Sequence, residues 1–81
     1  MFYVYFLKNA SNDRIYIGST ENLSIRVDRH NKGLVRSTKA YKPWTLIGHE
    51  KYSTRSEAMK RELFLKTGQQ REILRKKYLD K

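Results

Sequence analysis

The chain has 81 residues, no cysteine, and 18 lysines and arginines against 8 acidic residues, which gives a formal net charge of +10. This length allows one small domain, residues 1–81, and the absence of cysteine excludes disulfides and thiolate metal sites. No apolar run approaches the roughly 20 residues of a membrane span and no signal-peptide pattern opens the chain, so a cytoplasmic domain is expected. The positive charge favours a polyanionic partner, most simply nucleic acid.

Alternating side chains predict two strands at the start of the chain, over residues 2–7 and 14–19. Turn-forming residues lie between them, and a four-residue loop, Asn9–Asn12, would form a hairpin that places Tyr5 opposite Tyr16. The aliphatic side chains would then share one face and the tyrosines the other, either as a stabilising aromatic pair or as part of a site. The same register pairs Lys8 with Asp13, Phe6 with Ile15 and Val4 with Ile17.

The next signals predict a helix, a basic loop and a third strand. Asn22 is a suitable N-cap for a helix that runs to about Asn31 and is closed by Gly33. Residues 33–43 are polar and basic, which is typical of a loop. Looser alternation over residues 44–52 predicts a strand.

Two further helices complete the predicted order. Thr54 and Glu57 have the spacing of a capping box, which opens a helix to about Thr67, and Gly68 separates it from a helix over residues 69–78. The order β-β-α-β-α-α predicts an α+β fold, a small three-stranded antiparallel sheet flanked by three helices.

Basic residues are concentrated between Arg26 and Lys42, where Asp28 is the single acid. Tyr41 and Trp44 lie within or beside this cluster, which suits stacking on nucleic-acid bases. A solvated basic surface without a defined site is the alternative. The predicted nucleic-acid-binding residues are Arg29, Lys32, Arg36, Lys39 and Lys42.

Three polar residues on the predicted helices are further candidates for a site. Arg26 and His30 lie one turn apart on one face of the first helix, and Glu62 lies near the apolar stripe of the second. Each also has a plain structural interpretation: Arg26 and His30 as a solvated basic face, and Glu62 as a surface residue paired with Lys66.

Taken in order, these fragments resemble the GIY-YIG nuclease domain family, and among its members the short stand-alone bacterial proteins. The resemblance spans about residues 3–66, and its strength lies in the order and spacing of fragments that are each weak alone. The fragments are Tyr3-Val4-Tyr5, Tyr16-Ile17-Gly18, Asn22-Leu23-x-x-Arg26-x-x-x-His30, Pro43-Trp44-x-Leu46, and Glu57-Ala58-x-x-Arg61-Glu62-x-x-x-Lys66.

The resemblance implies a three-stranded sheet with flanking helices and an endonuclease that cuts a DNA phosphodiester with Mg²⁺ or Mn²⁺. Carried over to this sequence, Tyr5 and Tyr16 line the catalytic face, Arg26 contacts the scissile phosphate, His30 carries a proton or binds phosphate, and Glu62 binds the metal.

The chain departs from the family pattern at two points. Ser19 stands where some members have lysine, and no asparagine follows Asn31, although Gln69 or Gln70 is available instead. A nucleic-acid-binding module that retains the fold without turnover is therefore a second hypothesis, and binding to an acidic protein partner is a third.

Elementary chemistry is compatible with the implied roles. An arginine fork matches two phosphate oxygens, and one carboxylate with waters and a substrate oxygen is an ordinary Mg²⁺ shell. The sequence has no cluster of acids for two metals, which favours a one-metal mechanism. A phenol with a pKa near about 10 needs nearby positive charge to act as a base, so a tyrosine activated by Arg26 or metal and a neutral tyrosine passing its proton to His30 both remain open.

Overall fold

The computed structural model describes residues 1–9 and 14–78, in which three strands and three α-helices follow one another in the predicted order. The strands are antiparallel and lie in the sheet order β2-β1-β3. The α+β architecture predicted from the sequence is confirmed. The elements are β1 (Phe2–Asn9), β2 (Ile15–Thr20), α1 (Leu23–Asn31), a short 3₁₀ turn (Lys39–Tyr41), β3 (Trp44–Tyr52), α2 (Arg55–Leu65) and α3 (Gly68–Tyr78).

The hairpin register differs by two residues from the predicted one. Tyr5 lies opposite Gly18, and Tyr16 lies opposite Leu7. The strand continues to Asn9, whose backbone and side chain are hydrogen-bonded to Arg14 at 3.1 and 3.0 Å, so the connection is displaced by one residue along the chain from the predicted Asn9–Asn12. The other predicted pairs are wrong for the same reason: Lys8 pairs with Ile15, Phe6 with Ile17 and Val4 with Ser19, while Asp13 lies outside the described residues.

The predicted division of side chains between the two faces is correct, because a shift of two residues preserves the period of a strand. The aliphatic face of β1 and β2 packs against Ala58 and Leu65 of α2 and Leu74 of α3. On the opposite face, Tyr5 and Leu7 form a second cluster with Trp44, Tyr16, Leu23 and Val27. This second face carries the candidate site, and α1 lies against it.

A β-bulge in β3 explains its loose alternation. Phe6 pairs with Gly48 and Leu7 with Leu46, so Ile47 is the extra residue between them. Ile47 packs against the aliphatic cluster, while Trp44 stays on the tyrosine face. The bulge shifts the alternation of side chains by one residue, so Trp44 lies on the tyrosine face beside the site while Ile47 lies on the aliphatic face.

Caps fix the start of the two helices that carry site residues. The Asn22 side chain accepts from the Ile25 amide at 3.0 Å, and Thr54 and Glu57 form the predicted capping box at α2. Helix α2 ends at Leu65, two residues before the predicted end. None of the helices within the described residues is long and apolar enough to cross a membrane.

Gly18→Ala should destabilise the fold by about 1–3 kcal/mol, because the β-carbon would overpack the buried face. An added methyl group would lie 2.5 Å from the Tyr5 hydroxyl and 2.6 Å from its Cζ atom. That ring cannot move aside cheaply, since it is fully buried and hydrogen-bonded. Urea unfolding measures the change, and Gly68→Ala is the matched control because its new methyl meets nothing within 4 Å. Equal stability of the two variants would contradict the close packing at Gly18.

Candidate active site

The hydroxyl group of Tyr5 is the centre of a buried hydrogen-bond cluster between β1 and α1. Its oxygen lies 2.9 Å from His30 Nε2 and accepts a hydrogen bond from Arg26 Nε at 3.2 Å. Arg26 and His30 are one turn apart on α1, so both side chains reach the same strand residue. Tyr5 and His30 are each 0% exposed. The sequence-predicted trio of Tyr5, Arg26 and His30 is thus in direct contact.

The far side of the His30 ring is held by the loop after α1. His30 Nδ1 lies 2.7 Å from the Thr38 hydroxyl, which donates to the Val35 carbonyl oxygen at 3.4 Å. Trp44 Nε1 donates to the Thr38 carbonyl oxygen at 3.0 Å and fixes this loop against β3. This pattern assigns the Nδ1–H tautomer to His30, with Nε2 as the acceptor for the Tyr5 hydroxyl.

Burial sets the protonation state of this cluster. Desolvation raises the pKa of Tyr5 to about 12, although the hydrogen bond from Arg26 opposes the rise. Desolvation also lowers the pKa of His30 to about 4, and the positive charge of Arg26 adds to that effect. At neutral pH the phenol is therefore protonated and the imidazole neutral, which is the state in which Tyr5 donates to His30.

Tyr16 lies beside this cluster and is more accessible. Its ring centroid lies 6.2 Å from that of Tyr5 and 4.9 Å from that of His30. The two tyrosines are diagonal neighbours on adjacent strands, not a directly opposed pair. Unlike Tyr5, Tyr16 is only partly buried. It therefore separates the buried hydrogen bonds from solvent.

Glu62 reaches the same face from α2. Ser19 Oγ donates to Glu62 Oε1 at 2.7 Å, and Lys66 Nζ lies 2.7 Å from Oε2. The Glu62 side chain is 19% exposed, and the Lys66 ammonium lies 5.8 Å from the Tyr16 ring centre. The negative charge of Glu62 also contributes to the raised pKa of Tyr5. The structure therefore brings Glu62 to the same neighbourhood, and it confirms the predicted contact with Lys66.

The donor set at Glu62 fits one hard divalent cation that keeps most of its water. Within the described part of the chain, no group of three or more histidine, cysteine, aspartate or glutamate side chains is placed to hold a metal. Mg²⁺ commonly binds one or two carboxylates together with waters and substrate phosphate oxygens. A partly exposed single carboxylate satisfies that requirement.

The sequence matches the family model of the GIY-YIG catalytic domain over residues 1–78. The chain belongs to the GIY-YIG family. Its domain is therefore of a nuclease-type family, which carries the general expectation of a nucleic-acid substrate and a divalent metal.

Similar GIY-YIG proteins are short bacterial chains. A UPF0213 protein of Staphylococcus aureus (strain Mu3) is 38% identical over 74 residues, which is 90% of this chain and 89% of the relative. The UPF0213 protein of strain MW2 has the same identity and coverage. The solution NMR structure of a UPF0213 protein from Bacillus halodurans has a TM-score of 0.54 and 27% identity, and the match covers 91% of this chain and 82% of that one. The fold and the resemblance to short stand-alone bacterial members are thereby confirmed.

The predicted nucleic-acid-binding residues of this GIY-YIG domain lie outside the buried cluster. All of them are exposed, on the last turns of α1 or in the loop that follows. Lys32 is paired with Asp28 at 2.8 Å, and Lys39 and Lys42 both lie close to Gly33. They form a basic flank to the site. The set is Arg29, Lys32, Arg36, Lys39 and Lys42.

Sequence reasoning missed two side chains that hold this GIY-YIG site together. Ser19 orients Glu62, and Thr38 orients His30. Ser19 was conspicuous only as a replacement for lysine in the family pattern. Thr38 gives no local signal, because it lies in an irregular loop and its burial depends on contact with Trp44.

Folding stability should fall as the pH drops from about 6.5 toward 4, with His30 contributing about 3 kcal/mol. The unfolded chain binds a proton near the ordinary histidine pKa, whereas the folded chain resists it until much lower pH. The stabilisation is therefore complete above the unfolded pKa and is lost as the pH falls through this window. Urea unfolding at a series of pH values measures it. His30→Gln should flatten the dependence and the exposed His49→Gln should keep it; the reverse result would contradict the assignment.

Proposed function

We propose that this protein is a metal-dependent endonuclease that hydrolyses DNA phosphodiester bonds by a one-metal mechanism. The observation that carries the proposal is the contact of Tyr5 with both His30 and Arg26 on a face that also holds Glu62. A purely structural aromatic pair does not need a buried phenol that joins an arginine to a neutral imidazole. Membership of the GIY-YIG family supports the reaction class.

Arg26 supplies positive charge where a phosphate approaches. Its Nε bond to Tyr5 uses one of the five guanidinium N–H donors, and the others suit the oxygens of a phosphodiester. Charge grows on those oxygens as water attacks, so fixed positive charge lowers the barrier. The Tyr5 hydroxyl is fully buried, so the attacking water reaches it only when Arg26 turns toward phosphate and frees a lone pair on the Tyr5 oxygen.

Tyr5 and His30 provide a path for the proton of that water. Tyr5 takes a proton on its oxygen and passes its own to His30 Nε2, which lies 2.9 Å away. Thr38 holds the opposite ring nitrogen, so the accepting nitrogen stays aimed at Tyr5. Because the pKa of His30 is lowered to about 4, Nε2 is unprotonated at neutral pH and holds the transferred proton only transiently. Tyr16, the more exposed phenol, borders the water's position.

Glu62 is the residue that would hold one Mg²⁺ or Mn²⁺, with Ser19 orienting its carboxylate. When bound, such a cation supplies Lewis-acid stabilisation of phosphate charge and of the leaving oxygen. Lys66 neutralises the carboxylate when no cation is present, at 2.7 Å.

A cleavage assay with a charge-conserving variant tests the proposal. Wild-type protein and Arg26→Lys are incubated with supercoiled, forked and single-stranded DNA in Mg²⁺, Mn²⁺ or EDTA. We expect metal-dependent nicking by the wild type and about 100-fold slower cleavage by Arg26→Lys, because an ammonium cannot reproduce the guanidinium fork. DNA affinity should change little. Absence of cleavage on all three substrates would contradict the proposal.

A second candidate function is binding of nucleic acid without turnover. It is favoured by the net charge of +10 and by the pairing of Glu62 with Lys66, which leaves the carboxylate neutralised. This candidate predicts salt-sensitive binding by the basic flank. Lys39→Ala and Lys42→Ala should therefore weaken affinity and reduce the slope of log affinity against log salt concentration. Unchanged affinity and slope would exclude the basic flank as the binding surface.

A further inference from the structure

A cleft of about 300 Å³ opens next to the candidate active site, at the edge of β2. Tyr16 and Thr38 line it, and both also contact the buried cluster through His30. Its volume is at the lower end of the range for small-molecule sites, about 300–1,000 Å³. The cleft and the candidate active site therefore share a wall, and an occupant of one lies beside an occupant of the other.

The lining of this cleft combines positive charge with aromatic rings. Arg14 immediately precedes β2, and Arg71 and Arg75 come from α3. Among the described residues that line it, none is acidic. Tyr41 and Trp44 supply ring surface, and the Arg14 guanidinium lies 4.2 Å from the centre of the Tyr41 ring. Anion binding and planar stacking are thus available in one small space.

We infer that the cleft binds one unpaired nucleotide of the substrate, with the phosphate at Arg14 and Arg71 and the base against Tyr41. The inference deepens the proposed function and rests on it. Tyr41 is 36% exposed, so part of its ring can receive a base, whereas Trp44 is only 5% exposed and serves as a wall. A stacked and paired base of a duplex cannot enter a cleft of this size without leaving the helix. The subsite therefore selects DNA that is single-stranded, or locally unpaired, beside the cut.

Tyr16 and Thr38 connect the cleft to the buried cluster that contains Arg26. The Tyr16 ring lies between the cleft and the buried cluster, 6.3 Å from the Trp44 ring and 4.9 Å from the His30 ring. Thr38 touches the cleft and holds His30 Nδ1. A nucleotide bound here is thus aligned with the reacting phosphate and braces the loop that orients His30.

Fluorescence of Trp44, the one tryptophan in the sequence, reports occupancy of the cleft directly. The protein is titrated in EDTA, so that no metal-dependent cleavage occurs, with a short single-stranded oligothymidine, a duplex of equal length, a thymidine 5′-monophosphate and inorganic phosphate. We expect the single strand to change the emission and bind at least about tenfold more tightly than the duplex. Weaker binding of the free mononucleotide distinguishes a substrate subsite from a site for free nucleotides.

Arg71→Gln tests the assigned phosphate contact, and Lys76→Gln is its matched control on the same helix. Both residues are exposed and each change removes one positive charge, but only Arg71 lines the cleft. Arg71→Gln should weaken single-strand binding about tenfold, whereas Lys76→Gln should have a clearly smaller effect. The inference is overturned if the two variants weaken binding equally. It is also overturned if the wild type binds the duplex or the mononucleotide as tightly as it binds the single strand.

The proposal for the cleft and the proposal of nuclease activity can fail independently of each other. If Arg71→Gln weakens single-strand binding but the protein never cleaves DNA, the cleft is a nucleotide-binding site and the nuclease proposal is wrong. If the protein cleaves single-stranded and duplex DNA at equal rates, and Arg71→Gln does not change those rates, the nuclease proposal stands and the subsite proposal is wrong.

Discussion

Glu62→Gln should slow single-turnover DNA cleavage by about 100- to 1,000-fold, because a metal ligand contributes several kcal/mol to the barrier. Glutamine keeps the size of the side chain and can still accept the Ser19 hydrogen bond through its amide oxygen. It removes the negative charge that a divalent cation requires. Excess Mn²⁺ should restore part of the rate, since the defect is one of metal affinity.

The matched control is Glu72→Gln on α3. Glu72 is exposed and pairs at 3.7 Å with Arg75, which lines the cleft, so its loss changes the net charge equally without touching Glu62 or the buried cluster around Tyr5. We expect wild-type cleavage by this variant and unchanged thermal stability of both. Wild-type rates for Glu62→Gln at low metal concentration would remove Glu62 from the mechanism.

Tyr5→Phe should lower the cleavage rate by about 100- to 10,000-fold, which is the range for loss of a general acid–base group. Affinity for DNA should change little, because the buried hydroxyl is not a phosphate ligand. The variant should also lose about 1–3 kcal/mol of stability, since His30 and Arg26 each lose a buried partner. Single-turnover kinetics, DNA binding and urea unfolding measure the three effects separately.

Two further phenylalanine variants make this result specific. Tyr3 lies on the same strand face, with its ring centroid 5.7 Å from that of His49. The Tyr3→Phe variant should cleave DNA at the wild-type rate. Tyr16→Phe should lower the cleavage rate less than Tyr5→Phe does, because it is Tyr5 whose hydroxyl contacts His30. If Tyr16→Phe were the more damaging variant, the proton path would run through Tyr16.

Much of the fold could be predicted because its signals are local. The caps at Asn22 and Thr54 fix helix starts, and strand alternation fixes which face each side chain occupies. The register could not be predicted, because it depends on Asn9, whose side chain bonds to Arg14 and so moves the connection by one residue along the chain. The bulge at Ile47 was equally inaccessible, since it is a property of strand pairing.

The sequence predicted which side chains lie close together on this face, but not the contacts between them. Sequence spacing and the family resemblance selected Tyr5, Arg26, His30 and Glu62, which the fold places on one face. Spacing carries no information about contacts between distant elements, such as the hydrogen bond from Ser19 to Glu62. The basic cleft was missed for the same reason, because Arg14 and Arg71 come from opposite ends of the chain.

The basic flank and the buried cluster also differ in what they can explain. Exposed lysines in solvent give affinity for any polyanion, and that affinity weakens with salt. Among the described residues, the cluster around Tyr5 joins a neutral imidazole and a fixed positive charge to one buried hydroxyl. The nuclease proposal therefore rests on this cluster and not on the net charge.

The most direct test of that proposal is single-turnover cleavage of labelled DNA in ¹⁸O-enriched water with Mg²⁺, for wild type and Glu62→Gln side by side. Attack by water predicts that the wild-type product carries one ¹⁸O atom on its newly formed terminal phosphate. It also predicts that Glu62→Gln forms little product and that EDTA stops the reaction. Lack of cleavage by the wild type, cleavage without ¹⁸O incorporation, or equal cleavage by Glu62→Gln would contradict the account.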